Sequence, residues 1–238
     1  MSDRPIVACG LQDGSISVWD LEEMELITQI ENAHTAEVLS VSYLPQEDSF
    51  VTIGADNSIR VYVENKQHRE RFGHALPPTF INFYGTEDKH SILSAGLDKT
   101  LKLFSPEHES GNRNLGKTTL IHKSKKTEHQ LDFISKFAFS SNREHNFDNL
   151  VAVHHDSVKA TSWSTNKLKR GNLTFHDETN VLNTVTTVEC SHCGNMVWCG
   201  FKDGKIIEYN LQSGKKRKEF KGDQTAITGL GSQGEQAF

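Results

Sequence analysis

The sequence holds few of the residues that staple, kink or loosen a chain: among 238 residues there are four cysteines, five prolines, three methionines and three tryptophans. So few cysteines, with no apolar core at Met1–Pro5 like that of a signal peptide, predict free thiols in a reducing compartment rather than a disulfide framework. No stretch approaches the roughly 18 apolar residues a membrane-spanning helix needs. With a mean hydropathy of −0.54 and 24% charged residues, the expectation is a soluble chain. A net charge of −5 gives no global nucleic-acid signature, although its distribution is uneven. Helical periodicity is weak throughout, which leaves a predominantly β chain.

What the sequence does contain is a repeat. Five strand-like runs end on an aromatic residue: Trp19, Tyr62, Phe104, Trp163 and Tyr209. In four of them an Asp (Asp13, Asp56, Asp98, Asp203) stands six residues earlier. Successive aromatics are 43, 42, 59 and 46 residues apart. A period just above forty with short strands is the signature of WD-type β-propeller blades. The expected fold is therefore all-β, with about five WD40-type blades incomplete at both ends.

Runs rich in β-branched and aromatic residues, bounded by Gly, Asp or Asn turns, mark the strands. The first copy supplies three, beginning at Ile6, and Thr225–Leu230 reads as the first strand of a further blade. That strand could complete the first copy and close a five-bladed ring; the favoured expectation is a piece of a longer propeller protein. The period breaks at residues 106–130, which are polar, highly charged and poor in β alternation. We expect residues 1–105 to be WD-repeat blades ending one propeller and 106–130 to be a polar insertion or inter-propeller linker. Residues 131–238 would then begin a second propeller or continue the first.

In WD repeats a turn Asp, a His between blades, a strand Ser or Thr and a Trp form a buried polar network. The second copy offers His34, Thr52, Asp56 and Tyr62; the third offers His74, Ser94 and Asp98, with Phe104 unable to donate a hydrogen bond. Trp19 and Asp13 in the first copy and Asp203 in the last lack a good His, and Trp19-Asp20 is the one namesake dipeptide. These residues are expected to build blades. His, Ser and Asp recurring at repeat positions weigh against a hydrolase triad. Cys190-Ser-His-Cys193 with Cys199 resembles half a zinc site, but without a second CxxC pair buried structural thiols are the better expectation. His154-His155 falls at a strand end, where surface or turn roles are expected. The sequon at Asn172 matters only in a secreted chain. No catalytic residue, metal or cofactor is expected.

Basic clusters stand at Lys117 with Lys123, Lys125 and Lys126, at Lys167–Arg170 and at Lys215–Lys218. Lysine on strand edges discourages edge-to-edge pairing; the functional alternatives are RNA phosphate contact and a nuclear localisation signal in the last cluster. No aromatic stacking platform accompanies them.

Several strings are more specific than the repeat: WDLEEMELITQIENAH, VTIGADNSIRV, FGHALPPTFINFYG, ILSAGLDKTLKLFSPEHESGNRNLG and VTTVECSHCGN followed by YNLQSGKKRKEF. They are similar to the tandem WD-repeat subunit of the UTP-B complex, a U3 small nucleolar RNA-associated protein family of the small-subunit processome. The resemblance implies a non-catalytic scaffold in nucleolar pre-rRNA processing and small ribosomal subunit assembly. Its partners would be other protein subunits of a large ribonucleoprotein assembly, with pre-rRNA or small nucleolar RNA contact at the Lys117–Lys126 cluster. No membrane or small-molecule substrate is implied. The alternative is a generic WD40 adaptor, such as a ubiquitin-ligase substrate receptor or a signalling scaffold.

Overall fold

A computed structural model describes residues 5–44, 49–86, 89–105, 111–120, 129–222, 225–233 and 236–237. Among these there is no α-helix. Five antiparallel sheets follow one another in chain order, one of three strands and four of four, each built hairpin by hairpin. The first holds β1 (Ile6–Gly10), β2 (Ile16–Asp20) and β3 (Glu25–Ile30). The second holds β4 (Val38–Leu44), β5 (Ser49–Gly54), β6 (Ser58–Val63) and β7 (Lys66–Phe72). Then come the hairpins β8 (Pro78–Thr86) with β9 (Lys89–Gly96), and β10 (Thr100–Phe104) with β11 (Arg113–Lys117). After a short pair, β12 (Thr119–Leu120) and β13 (His129–Gln130), the fourth sheet holds β14 (Ile134–Phe139), β15 (Leu150–His154), β16 (Ala160–Ser164) and β17 (Lys169–Phe175). The fifth holds β18 (Val185–Cys190), β19 (Met196–Phe201), β20 (Lys205–Asn210) and β21 (Lys216–Lys221). A two-residue pair, β22 (Ser232–Gln233) and β23 (Gln236–Ala237), follows.

The place of a strand within its sheet is written in its residue pattern. The second strands β5 (SFVTIG) and β15 (LVAVH) are buried along their whole length, so both faces carry apolar or small residues. The last strands KQHRERF and KRKEFK are rich in charge, which keeps an edge strand from recruiting a stray strand, whereas ELITQI carries the single charge of Glu25. Facing sheets interdigitate through alternating residues. Ile16 and Val18 of β2 pack on Phe50 and Tyr62 of the second sheet. One sheet further on, Ile59 and Val61 pack with Ile81, Ile92 and Phe104. The fourth and fifth sheets share a core that includes Val151, Val153, Phe175, Val188 and Ile207.

Two irregularities recur. The first strand of each four-stranded sheet carries a register shift near its start: Val38/Ser40, Pro78/Phe80, Ile134/Lys136 and Val185/Thr187. A second shift falls at the closing aromatic, between Val18 and Trp19, Val61 and Tyr62, Thr161 and Trp163, and Glu208 and Tyr209. A bulge turns the strand and re-aims the side chain beside it, which places the aromatic differently from its alternating neighbours.

The chain divides into two compact units, Met1–Asp98 with Phe104–Asn112 and Lys99–Leu103 with Arg113–Phe238. Two expectations about strands need correction. Residues 106–130 contain β11, whose Leu115 is buried, together with β12 and β13. Leu115 is the single apolar residue of RNLGK, so the strand left no alternation to read. Thr225–Leu230 forms no strand; Ile227 N donates to Phe201 O at 3.2 Å and Thr186 Oγ1 donates to Ile227 O, isolated bonds without a partner ladder.

Candidate functional site

Asp56, Asp98 and Asp203 sit where the second strand of their sheet turns into the third, and Asp13 lies between β1 and β2; the short side chains of Asp13, Asp56 and Asp203 cap their turns. Ser15 N donates to Asp13 Oδ1 at 2.9 Å, Ser58 N to Asp56 Oδ1 at 3.1 Å and Lys205 N to Asp203 Oδ1 at 3.1 Å. The residue after the Asp is left-handed in every case: Gly14 (φ 86°), Asn57 (φ 65°), Lys99 (φ 62°) and Gly204 (φ 84°). Gly and Asn tolerate that conformation best.

In the second sheet, Asp56 is extended into a network. His34 Nδ1 donates to Asp56 Oδ1 at 3.0 Å, and the Thr52 hydroxyl bonds His34 Nε2 at 2.8 Å. A carboxylate can only accept, so Nδ1 carries the proton and Thr52 donates into Nε2. Thr35 N and the Ser58 hydroxyl complete the carboxylate's coordination. Burial alone would raise the Asp56 pKa, but the bonds from Ser58, Thr35 and His34 outweigh it and hold the carboxyl far below its usual range. Burial likewise lowers the pKa of His34 against the pull of Asp56. The third sheet repeats the arrangement: His74 Nδ1 to Asp98 Oδ1 at 3.0 Å, Ser94 to His74 Nε2 at 3.1 Å, and Ala75 N to Asp98 Oδ2 at 2.9 Å. Phe104 meets the His74 ring edge-on at 5.9 Å.

Sequence reasoning missed the glycines beneath these rings. A Cβ on Gly54 would lie 2.3 Å from His34 Nδ1, and one on Gly96 would lie 2.5 Å from His74 Nδ1. The signal was present as a Gly two residues before each Asp in IGAD and AGLD.

Tyr62 stands apart from its expected partners. Its hydroxyl donates to Ala33 O at 3.3 Å, and its ring stacks on Phe50 at 4.9 Å. Trp19 is 40% exposed and donates from Nε1 to Ser17 at 3.1 Å. Among the described residues, neither Asp13 nor Asp203 bonds a His; Asp203 faces Lys205 Nζ at 3.6 Å. Cys190 and Cys199 are buried thiols with raised pKa values, the first cause in each being burial, while Cys193 is half-buried and Cys9 exposed. No cluster of three or more potential metal ligands occurs among the described residues.

His154 corrects the expectation of a surface or turn role: it is 1% exposed. Its Nδ1 donates to Asp132 O at 3.1 Å, Thr161 Oγ1 bonds its Nε2 at 2.8 Å, and Trp163 Nε1 donates to Thr161 Oγ1 at 2.9 Å. A backbone carbonyl cannot donate, so the chain of protons runs Trp163 to Thr161 to His154 to Asp132, with every group satisfied. Burial pushes the imidazole pKa down to about 4, and the half-buried Arg170 guanidinium helps. This His comes from a strand rather than from the connection between sheets, so the repeat spacing could not reveal it.

In the fifth sheet the charges exchange places. The carboxylate is Asp177, in the connection before β18, and the cation is Lys205, at the start of β20, with Nζ 2.8 Å from Asp177 Oδ2. Thr179 and Asn183 add further bonds to Asp177, whose pKa they and Lys205 hold far below normal against burial. Tyr209 closes the corner, donating to His176 O at 2.7 Å. Of the basic residues, Lys117 is exposed on β11; Lys123, Lys125 and Lys126 lie outside the described residues.

These repeated corners are architecture, and comparison with known proteins supplies the lineage. The profile of the WDR36/Utp21 second beta-propeller domain matches residues 79–237. The chain belongs to the WDR36/Utp21 family. The WD domain, G-beta repeat, matches residues 25–62 as well. Human WD repeat-containing protein 36 is 34% identical over 93% of this chain. The Schizosaccharomyces pombe U3 small nucleolar RNA-associated protein 21 homolog is 31% identical over 94%, and the Saccharomyces cerevisiae U3 small nucleolar RNA-associated protein 21 is 27% identical over 96%. The chain spans about a quarter (26%) of the length of each of these family members.

Proposed function

We propose that the chain is part of a non-catalytic WD-repeat scaffold for nucleolar pre-rRNA processing and small ribosomal subunit assembly, acting through protein contacts in the small-subunit processome. The observation that carries this reading is the family match over residues 79–237, with relatives named for association with U3 small nucleolar RNA. The geometry fits a scaffold. The His–Asp pairs occur twice at equivalent positions and are closed by backbone and hydroxyl partners, so they stiffen sheets rather than await a substrate. Rigid sheets hold loops in fixed positions for partners to read.

The test is affinity purification of the full-length gene product with identification of protein and RNA. Recovery of processome subunits and pre-rRNA, with nucleolar localisation of a tagged copy, is the expected result. A list of ligase or kinase partners without them would replace this role with that of a generic adaptor. Direct RNA contact at Lys117, Lys123, Lys125 and Lys126 predicts reduced crosslinking when Lys123, Lys125 and Lys126 become Glu; unchanged crosslinking would remove that part of the proposal.

A further inference from the structure

The two basic clusters that the repeated corners leave unused, Lys167–Arg170 and Lys215–Lys218, fall at one place in the repeat. Each occupies the turn from the third strand of its sheet into the fourth, between β16 and β17 and between β20 and β21, and runs on into the fourth strand. In a chain of net charge −5, residues 164–176 carry three cations and no carboxylate, and residues 211–222 carry five cations and one carboxylate. Protection of an open edge explains lysine on β17 and β21. It does not explain Lys167 and Lys215, which stand in the turns, where no ladder is open.

The fold brings the two clusters together. Gly214, in the second turn, packs on β17: an added Cβ there would lie 3.1 Å from the Leu173 side chain. Lys215 follows Gly214, and Lys169 precedes Leu173 by about 13 Å along an extended strand. Both turns are pinned, Lys167 N donating to Ser164 Oγ at 3.1 Å and Ser213 N to Asn210 Oδ1 at 2.9 Å. Lys167, Lys169, Lys215, Arg217, Lys218 and Lys221 are exposed, and among the described residues none of the six forms an ion pair. The carboxylates close by are already engaged. Asp148 accepts from the Ser162 hydroxyl at 2.6 Å, Glu208 accepts from Trp198 Nε1 at 3.1 Å, and Glu219 is paired with Lys216. Like charges held side by side without counter-charges make a local positive field, which draws a polyanion.

We propose that this surface binds the phosphate backbone of RNA, as a second contact separate from Lys117–Lys126. The choice of RNA rests on the pre-rRNA role proposed above, and the chemistry of the surface agrees with it. A protein partner takes most of its affinity from buried aromatic or apolar anchors. On the two turns and β17, the exposed residues between the cations are Asn166, Asn172, Thr174, Gln212 and Ser213, all polar and able to donate to phosphate and sugar oxygens. Phe220 is the single exposed aromatic of the two segments. One ring stacks on one base at most, so the phosphates set the binding and the base sequence does not.

The test uses the purified full-length protein and a fluorescent single-stranded RNA of about 20 nucleotides, longer than one such surface covers. Contact with about four phosphates contributes a slope of about −3 in log affinity against log salt. Lys169→Gln with Lys215→Gln, Arg217→Gln and Lys218→Gln should flatten the slope by about that amount and weaken binding at least about tenfold. All four side chains are exposed, so the melting temperature should move by less than about 2 °C. A photoreactive residue at Asn172, and separately at Gln212, should crosslink the RNA, and RNAs of unrelated sequence should bind alike. Unchanged affinity and slope in the quadruple variant overturn the proposal. So does the absence of RNA adducts at both positions, or displacement of the RNA by polyglutamate as readily as by unlabelled RNA. The two readings fail separately. A protein that recovers processome subunits but binds RNA unchanged after the four substitutions loses only this surface. A protein without processome partners whose RNA binding falls in the quadruple variant loses only the pre-rRNA role.

Discussion

Thr161→Val is a change of one atom's chemistry at almost constant shape, and it tests the buried proton chain of the fourth sheet. Thr161 is fully buried, and its hydroxyl both accepts from Trp163 Nε1 and donates to His154 Nε2. The methyl that replaces the hydroxyl can do neither. Two buried nitrogens lose their partners, each costing about 1–3 kcal/mol, and the extra apolar group returns less than about 1 kcal/mol. The net expectation is a loss of about 2–4 kcal/mol. Thr161→Ser keeps the hydroxyl and gives up one methyl group, a loss of about 1 kcal/mol. Urea unfolding of the chain followed by tryptophan fluorescence and circular dichroism reads both. With a slope of about 2 kcal/mol/M, the Val variant should lose about 1–2 M in its midpoint. If the Val variant unfolds with the wild type, or the Ser variant falls as far as the Val variant, the proton chain is not what holds this corner.

Acidification should act on the same corner, because His154 is neutral with a pKa of about 4 against 6.5 for the free side chain. The unfolded chain takes up a proton between those values that the folded chain refuses. Stability is therefore complete above pH 6.5 and declines as pH falls towards 4, by about 3 kcal/mol at most; urea midpoints at pH 7.5 and 4.5 should show it, and His154→Gln should reduce the difference. Asp56 and Asp177, whose pKa values are lowered, add a second loss only below about pH 4. Gly54→Ala and Gly96→Ala should each cost more than about 2 kcal/mol by thermal melting, because the new methyl would strike a buried His ring; a neutral result would mean the ring can move aside. The proposed division at 106–130 predicts that protease cleavage there releases fragments that separate on native gel filtration. Co-elution, which the Thr118 Oγ1 to Leu131 O bond and the Lys99–Asp132 ion pair favour, would place the division elsewhere.

How much of the molecule could be read in advance follows from the range of the interactions. Asp56 and Asp98 were legible because the turn they cap spans a few residues, and the same spacing recurs. β11 and β17 were hard to see because last strands carry charge on their exposed edge and keep few apolar residues in alternation. The connection of Asp56 to His34 was readable only because the repeat placed a His before each of two sheets. His154 broke that rule by sitting on a strand, and Asp177 with Lys205 broke it by exchanging charges across the corner.

The sequence by itself determined the period, the turns and the middle strands, since turn chemistry and two-sided burial act on neighbouring residues. Tertiary structure decided which hydroxyl meets which imidazole, why Tyr62 turns to Ala33, and that Val181 and Leu182 stand in water. Those contacts join residues far apart in the chain, as with His34 and Asp56 or Asp177 and Lys205. A bulge that re-aims one side chain, or the length of one connection, changes them without altering the pattern that specifies the strands.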